Sequence, residues 1–234
     1  QGVPGADRGE QARGAAERSD LFIAVSQFTA NQMTALLKIN PARIRIVPHG
    51  VDIPPPSTEP RERMVLSVGA IQKRKNVARL VRAFEAMPPG WRLVLAGAAN
   101  GYGASAELAA VEASSRRQDI RVAGYVSAAE LESLYGRASI FAFPSLDEGF
   151  GMPVLDAMAR GVPVVTSNRS AMPEVAGDAA LLVDPENDDA ITEALRSLAS
   201  DRTQQNDLRA RGLARAHQFS WDNTVDATWR VYEE

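Results

Sequence analysis

The 234-residue sequence contains no cysteine and only two histidines, His49 and His217. Without thiols there is no disulfide, no cysteine nucleophile and no thiolate metal site. Two isolated imidazoles do not make a His-rich metal centre. No apolar run approaches the ~20 residues of a membrane-spanning helix. The opening QGVPGADRGEQARG lacks the apolar stretch of a signal peptide. An excess of positive charge is also missing: 26 Lys+Arg against 29 Asp+Glu leave −3, whereas dedicated nucleic-acid binders usually carry a basic excess. No repeat and no low-complexity tract interrupts the chain. What remains is 45% hydrophobic and 24% charged, a globular balance able to bury a core. The length suits one full domain plus part of another. These absences predict a reduced, cytoplasmic protein with no nucleic-acid partner.

Residues 1–19 are rich in Gly, Ala, Arg and Glu and read as a frayed helix or a ragged end. Leu21–Val25 is a short apolar run of the buried parallel-strand type. Ser26 can cap a helix running to about Lys38, stopped by Asn40-Pro41, and Ile44–Val47 reads as another strand. His49-Gly50-Val51-Asp52 then leads into Pro54-Pro55-Pro56-Ser57, where three prolines exclude helix and central strand. The segment 53–62 is therefore read as a linker between residues 1–52 and a larger unit, 63–219.

In that larger unit, apolar runs at Met64–Val68, Trp91–Ala96, Ile120–Ala123, Ser139–Phe143, Pro163–Thr166 and Ala180–Val183 alternate with helical patterns. Asn76 reads as the cap of a helix bearing Val77, Leu80, Val81, Phe84 and Met87, and Ser127 with Glu130 has capping-box spacing. Strand–helix alternation over about 130 residues predicts an α/β fold, a Rossmann-like parallel sheet with helices on both faces. Ligands of such sheets bind beyond the carboxyl ends of the strands, so the loops there carry the search. The final segment, 220–234, reads as a helix with Trp221, Val225, Trp229 and Tyr232 along one stripe.

Two strand-end loops stand out. The first, Pro144-Ser145-Leu146-Asp147-Glu148-Gly149-Phe150-Gly151-Met152-Pro153-Val154, runs from a strand through an acidic glycine loop into a helix. Pro153 suits the first helical position, and Gly161 ends the helix. Free amides near 151–154, at the positive end of the helix dipole, form a ready anion site. Glu148 stands before the helix and Asp156 about one turn inside it. The second loop, Gly69-Ala70-Ile71-Gln72-Lys73-Arg74-Lys75-Asn76, puts three cations ahead of a helix, where they oppose its dipole; a bound polyanion would offset both. Cations, helix-end amides and two acids for hydroxyls form a set that a sugar attached to a nucleoside diphosphate needs. The bland alternatives are a tight turn for the first loop and a solvated charge run for the second. His49 and His217 read as ordinary polar residues of a linker and a helix.

The stretch Glu148-Gly-Phe-Gly-Met-Pro-Val-Leu-Asp156 resembles the acid-x7-acid motif of the retaining, GT-B-fold glycosyltransferases of family 4 (group 1). Gly69–Asn76 resembles that family's phosphate loop. His49-Gly-Val-Asp52, Gly124-Tyr-Val126 and Gly161-Val-Pro-Val-Val165 match further family segments, in order, so the resemblance runs from about Ser19 to Glu234. It implies a two-lobed enzyme transferring a sugar from a nucleotide-diphosphate-sugar donor with retention of configuration. This chain would be the donor-binding lobe behind residues 1–52, a remnant of the N-terminal acceptor lobe. Arg74 and Lys75 would neutralise the diphosphate and, with Glu148, serve catalysis. Gly69 would shape the phosphate loop, and Glu148 would contact the donor sugar. Gly149, Phe150, Gly151, Met152, Pro153 and Val154 would hold sugar and phosphates. Asp156 would bond the ribose, and Tyr125 and Val126 would border the base.

No cofactor and no metal are implied, the nucleotide sugar being a substrate. The partners implied are a GDP-linked donor of mannose type, a carbohydrate or lipid-linked acceptor, and the missing N-terminal lobe. That lobe would make peripheral contact at the inner face of the membrane, and the 220–234 helix would cross back to it. Asp156 departs from the Glu usual at the second acid. A fragment lacking the first lobe is expected to be inactive alone, and residues 1–52 are expected to pack little against 63–200. A nucleotide-sugar epimerase of the same architecture and a non-catalytic nucleotide-sugar-binding module are the competing readings.

Overall fold

The computed structural model describes residue 14 and residues 16–234. Most of the segment read as a frayed or ragged start, 1–13 with 15, falls outside the described residues. In chain order the elements are β1 (Phe22–Ala24), α1 (Gln27–Leu37), β2 (Ile44–Ile46), β3 (Glu62–Val68), α2 (Val77–Glu85), β4 (Arg92–Ala96), α3 (Ala104–Glu112), β5 (Ile120–Gly124) and α4 (Ala128–Arg137). They continue with β6 (Ala138–Phe143), α5 (Met152–Ala159), β7 (Val164–Ser167), α6 (Met172–Ala176), β8 (Ala180–Val183), α7 (Asp188–Ser200), α8 (Arg202–Ala216) and α9 (Trp221–Glu233). All eight apolar runs form strands. Trp91 stays outside β4 as a buried anchor, and β3 takes in Glu62, the last residue read as linker.

β1 and β2 form a small parallel pair, and the other strands form one parallel sheet in the order β5-β4-β3-β6-β7-β8. The order reverses direction between β3 and β6. At such a switch point the following loops splay to opposite sides and leave a crevice.

The sheet is apolar on both faces because its strands are covered on both. Met64, Leu66, Phe141 and Phe143 face the core shared with α4, α5 and α6. Val65, Leu93, Leu95 and Ile140 face the other core, built with α2, α3, α7 and α8. This period-2 division explains why the strands read as unbroken apolar runs.

Helix α2 begins differently from the expected Asn76 cap. Asn76 adopts the left-handed conformation, φ 60°, and makes no cap bond. Its amide instead donates to the carbonyls of Pro144 (3.0 Å) and Pro185 (2.7 Å), tying the ends of β6 and β8 together. The orphan amides of α2 are met from α3: Glu107, 8% exposed, accepts from Ala78 N–H at 2.7 Å. A carboxylate here both satisfies a donor and favours the helix dipole. Glu107→Ala is expected to destabilise the fold by about 1–2 kcal/mol and Glu107→Gln by less, measured by urea unfolding. An unchanged midpoint for the alanine variant would show that the cap contributes nothing.

The N-terminal piece meets residues 63–200 at a few defined points. Ser26 Oγ and Thr29 Oγ1 donate to the carbonyl of Gly149, at 2.6 and 2.9 Å. The first amides of α1, from Gln27 and Phe28, donate to Glu174 at 2.7 and 3.2 Å. Val25 and Phe28 join the core beside α5.

Helix α9 lies against the same piece. Thr224 Oγ1 donates to Pro48 O at 2.8 Å, and Arg45 pairs with Glu234. The linker crosses the start of α9 so closely that a Cβ on Gly50 would lie 2.3 Å from Trp221 N. The aromatic stripe itself is not buried: Trp221, Val225, Trp229 and Tyr232 are 43–78% exposed.

Candidate functional site

The loops after β3 and β6 meet at the switch point. After β3 the chain turns at Gly69, φ 141°, and Lys73–Lys75 form a short 3₁₀ turn. This turn is bonded to the other loop through its backbone: Leu146 N–H and Ser145 Oγ both donate to Arg74 O, at 2.7 and 2.9 Å. The run of cations is therefore divided. Lys73 points to solvent, whereas Arg74 and Lys75 turn onto Glu148.

Glu148, 9% exposed, is the centre of the arrangement. Its Oε1 receives Arg74 Nη1 at 2.5 Å, Lys75 Nζ at 2.6 Å and Ser145 Oγ at 2.7 Å. Burial alone would raise the Glu148 carboxyl. The hydrogen bond from Arg74, the charge and hydrogen bond of Lys75 and the Ser145 hydroxyl outweigh it and hold the group below its ordinary value. Burial lowers Lys75, partly opposed by Glu148. The ammonium also sits 4.3 Å from the centre of the Phe143 ring, a cation–π contact. A charged pair in this position is held in place before any ligand arrives.

Helix α5 starts at Met152, one residue before the expected Pro153, which takes the second position. Gly151 precedes it at φ 112°, and a Cβ there would lie 2.3 Å from Met172 Cε. The amides of Gly149, Phe150, Gly151 and Met152 donate to no acceptor among the described residues. They lie at the positive end of α5, beside the Arg74–Lys75–Glu148 cluster, as an anion site requires.

Asp156 is separate from that cluster. Arg160 Nη1 donates to its Oδ1 at 3.1 Å. Burial raises the Asp156 carboxyl, Arg160 partly offsets this, and Glu132 and Asp52 add to the rise. The two acids are thus pushed in opposite directions, Glu148 down and Asp156 up. Arg160 also pairs with Glu132 and covers the Tyr135 ring at 5.0 Å.

Gly124, φ 68°, turns the chain out of edge strand β5. The following Tyr125 ring is 90% exposed, while Val126 packs on the core. His49 reaches the glycine loop, its ring 5.2 Å from that of Phe150 and edge-on to it. No spacing of residues signals this pairing.

Other residues that shape the site were not singled out from the sequence. Ser145 bridges Arg74 and Glu148. Ser170, φ 53°, accepts the Glu148 N–H at 3.1 Å, and Ala171 N–H donates to Glu148 O at 3.2 Å. Gly97, φ 151°, lies so near the phosphate-side loop that a Cβ would come within 2.0 Å of Gly69 O.

With this geometry in place, the comparisons decide the family. The profile described as Glycosyl transferases group 1 matches residues 52–215, and Glycosyltransferase Family 4 matches residues 6–54. The chain belongs to the group 1 glycosyltransferases. It is 40% identical over 172 residues to an O-antigen chain mannosyltransferase B of Escherichia coli, covering 72% of this chain and 45% of that protein. It is 30% identical over 222 residues to an MMP alpha-(1->4)-mannosyltransferase of Mycolicibacterium hassiacum, covering 91% and 54% respectively. The group 1 chain thus spans about half the length of these curated relatives. Among solved structures, a sucrose-phosphate synthase from Thermosynechococcus elongatus superposes with TM-score 0.83 at 23% identity, covering 97% of this chain and 61% of that one. Anabaena HepE, in complex with UDP and glucose, superposes with TM-score 0.82 at 18% identity, covering 98% and 67%. Both share the fold of this group 1 chain. Among the described residues, no helix is long and apolar enough to cross a membrane.

Proposed function

We propose that this chain is the donor-binding part of a hexosyltransferase that transfers a sugar, with retention of configuration, from a nucleoside-diphosphate sugar. The observation that carries the reading is the cluster at the switch point. One buried carboxylate holds two cations beside four free amides at the start of α5. As the sugar–phosphate bond breaks, charge grows on the departing diphosphate. Arg74, Lys75 and the α5 amides would stabilise that charge, the contribution that usually dominates in such chemistry. They would do so without a metal. Glu148 Oε1 anchors the cations, and the carboxylate's other oxygen would meet the donor sugar. Asp156 would accept from the ribose, with Tyr125 and Val126 at the rim near the base.

The mannosyltransferase names of relatives favour a GDP-linked donor, whereas the UDP of the HepE complex favours a UDP-linked one. The acceptor would be a carbohydrate or lipid-linked glycan, reached with a complementary N-terminal lobe that itself touches the inner face of the membrane. The helix α9, lying on residues 45–50, would be the return crossing towards that lobe.

The test is calorimetric titration with GDP, UDP, ADP and dTDP and with the parent nucleosides. A charge-assisted contact is worth about 1.5–3 kcal/mol, so Lys75→Ala is expected to weaken binding of the preferred diphosphate by about 10–150-fold. Nucleoside binding should barely change. Equal losses for diphosphate and nucleoside would show that the loop does not read phosphate. Product analysis with the preferred donor then separates transfer from epimerisation and from binding alone.

A further inference from the structure

At the opposite end of the sheet a second charged cleft of about 430 Å3 opens where strands begin rather than end. Arg61 and Arg63 at the start of β3, Arg202 at the start of α8, and Arg209 one and a half to two turns later line it. β3 has seven residues, so the cleft is roughly 20 Å from the Arg74–Lys75 loop at its other end.

The arginines here lack counter-charges. Among the described residues, Arg63, Arg202 and Arg209 form no ion pair, although most arginines of the chain do. The acids nearby are already engaged. Glu62, on the cleft wall, pairs with Arg92 and Arg137, and Asp201 caps α8 through Gln204 N–H at 2.9 Å.

Arg61 is fixed by donating to the carbonyls of Tyr135, Ala138, Arg160 and Gly161, at 2.6, 2.7, 2.6 and 3.3 Å. Burial and, after it, the charge of Arg209 lower its guanidinium to about 10. Both guanidinium groups reach Gly161: a Cβ there would lie 3.0 Å from Arg209 Nε. Cations gathered without ion-pair partners around a concave, partly polar wall repel one another until an anion enters. Guanidinium groups match phosphate oxygens in pairs.

We propose that this cleft binds a small phosphate-bearing anion carrying at least two negative charges, at a site separate from the crevice at the switch point. The site does not depend on the donor reading.

The experiment titrates inorganic pyrophosphate into the protein by calorimetry. Two binding events are expected. The exposed pair Arg202→Gln/Arg209→Gln should weaken one by about 10-fold or more and spare the other, while Lys75→Ala should do the reverse. A charge-matched pair outside the cleft lining, Lys38→Gln/Arg230→Gln, should leave both. A thermal melt checks that each variant is folded, and Arg63→Gln serves as a second probe of the cleft.

A single binding event untouched by the cleft variants would overturn the proposal, as would equal weakening by the charge-matched pair. If Lys75→Ala alone has no effect, the donor reading fails and the cleft stands. Phosphatidylcholine vesicles with and without phosphatidylglycerol identify the source. Arginine-dependent sedimentation with the anionic vesicles points to a lipid headgroup, and pyrophosphate binding without it points to a soluble phosphate. Either outcome supports the site.

Discussion

Glu148→Gln, assayed in a protein that carries a complete acceptor lobe, is expected to lower kcat by about 10²–10³-fold, the usual loss when a preorganised charge contact at a reacting centre is removed. The amide keeps the shape of the side chain but not its charge. Oε1 now holds Arg74 at 2.5 Å and Lys75 at 2.6 Å, and a neutral oxygen would hold neither as firmly. Both cations would lose the position from which, in the proposed reaction, they would stabilise the departing diphosphate. Asp156→Asn should behave differently. Asp156 lies inside α5 against Arg160, facing the ribose in the proposed complex, which does not react. Groups that bind ground and transition state alike act on KM, and groups at the reacting centre act on kcat. Asp156→Asn should therefore raise the donor KM chiefly, and Asp156→Glu should be tolerated best. Steady-state kinetics on the three variants decides. Loss of kcat alone in Asp156→Asn would recast the two acids as a pair acting on the sugar.

Gly97→Ala is expected to destabilise the protein by about 2–4 kcal/mol, in the range of clash and strain at a special backbone position, and to abolish tight diphosphate binding. Gly97 has φ 151°, open to glycine and closed to alanine. Its missing Cβ would overlap the Gly69 carbonyl at 2.0 Å and Ala70 N at 2.9 Å, both backbone atoms. A flexible side chain could rotate away, but here the loop after β3 must move as a whole. That loop carries Arg74 and Lys75. Gly97 N–H also donates to Gly124 O at 2.7 Å, so a shift would reach the turn before Tyr125. Urea unfolding and diphosphate titration measure the two effects. Wild-type stability with wild-type binding would show that the loop has room that the geometry denies it.

The strands and the switch-point loops were legible because their signals are local. An apolar run such as Ser139–Phe143, stopped by Pro144, needs no knowledge of its neighbours. Glu148 and Asp156 were legible because one loop and one helix hold them both. The partners of those residues were not. Glu107 caps a helix 29 residues earlier, and Ser170 steadies Glu148 from 22 residues later. Asn76 looked like a cap by type and position, yet two distant proline carbonyls claim its amide. Gly97 carries no motif at all, since its importance lies in what passes beside it. A contact made across the sheet leaves no spacing to read.

The Gly149 carbonyl accepts two hydroxyls from the start of α1, Ser26 at 2.6 Å and Thr29 at 2.9 Å. Gly149 is also the next residue after Glu148. A force that draws β1, α1 and β2 away from the sheet would pull first on this carbonyl, and through one peptide unit on the carboxylate that fixes Arg74 and Lys75. The path holds one rigid peptide and the two soft dihedrals of Gly149, so part of the pull would reach the carboxylate. The grip on the two cations is thereby tied mechanically to the seating of the N-terminal piece.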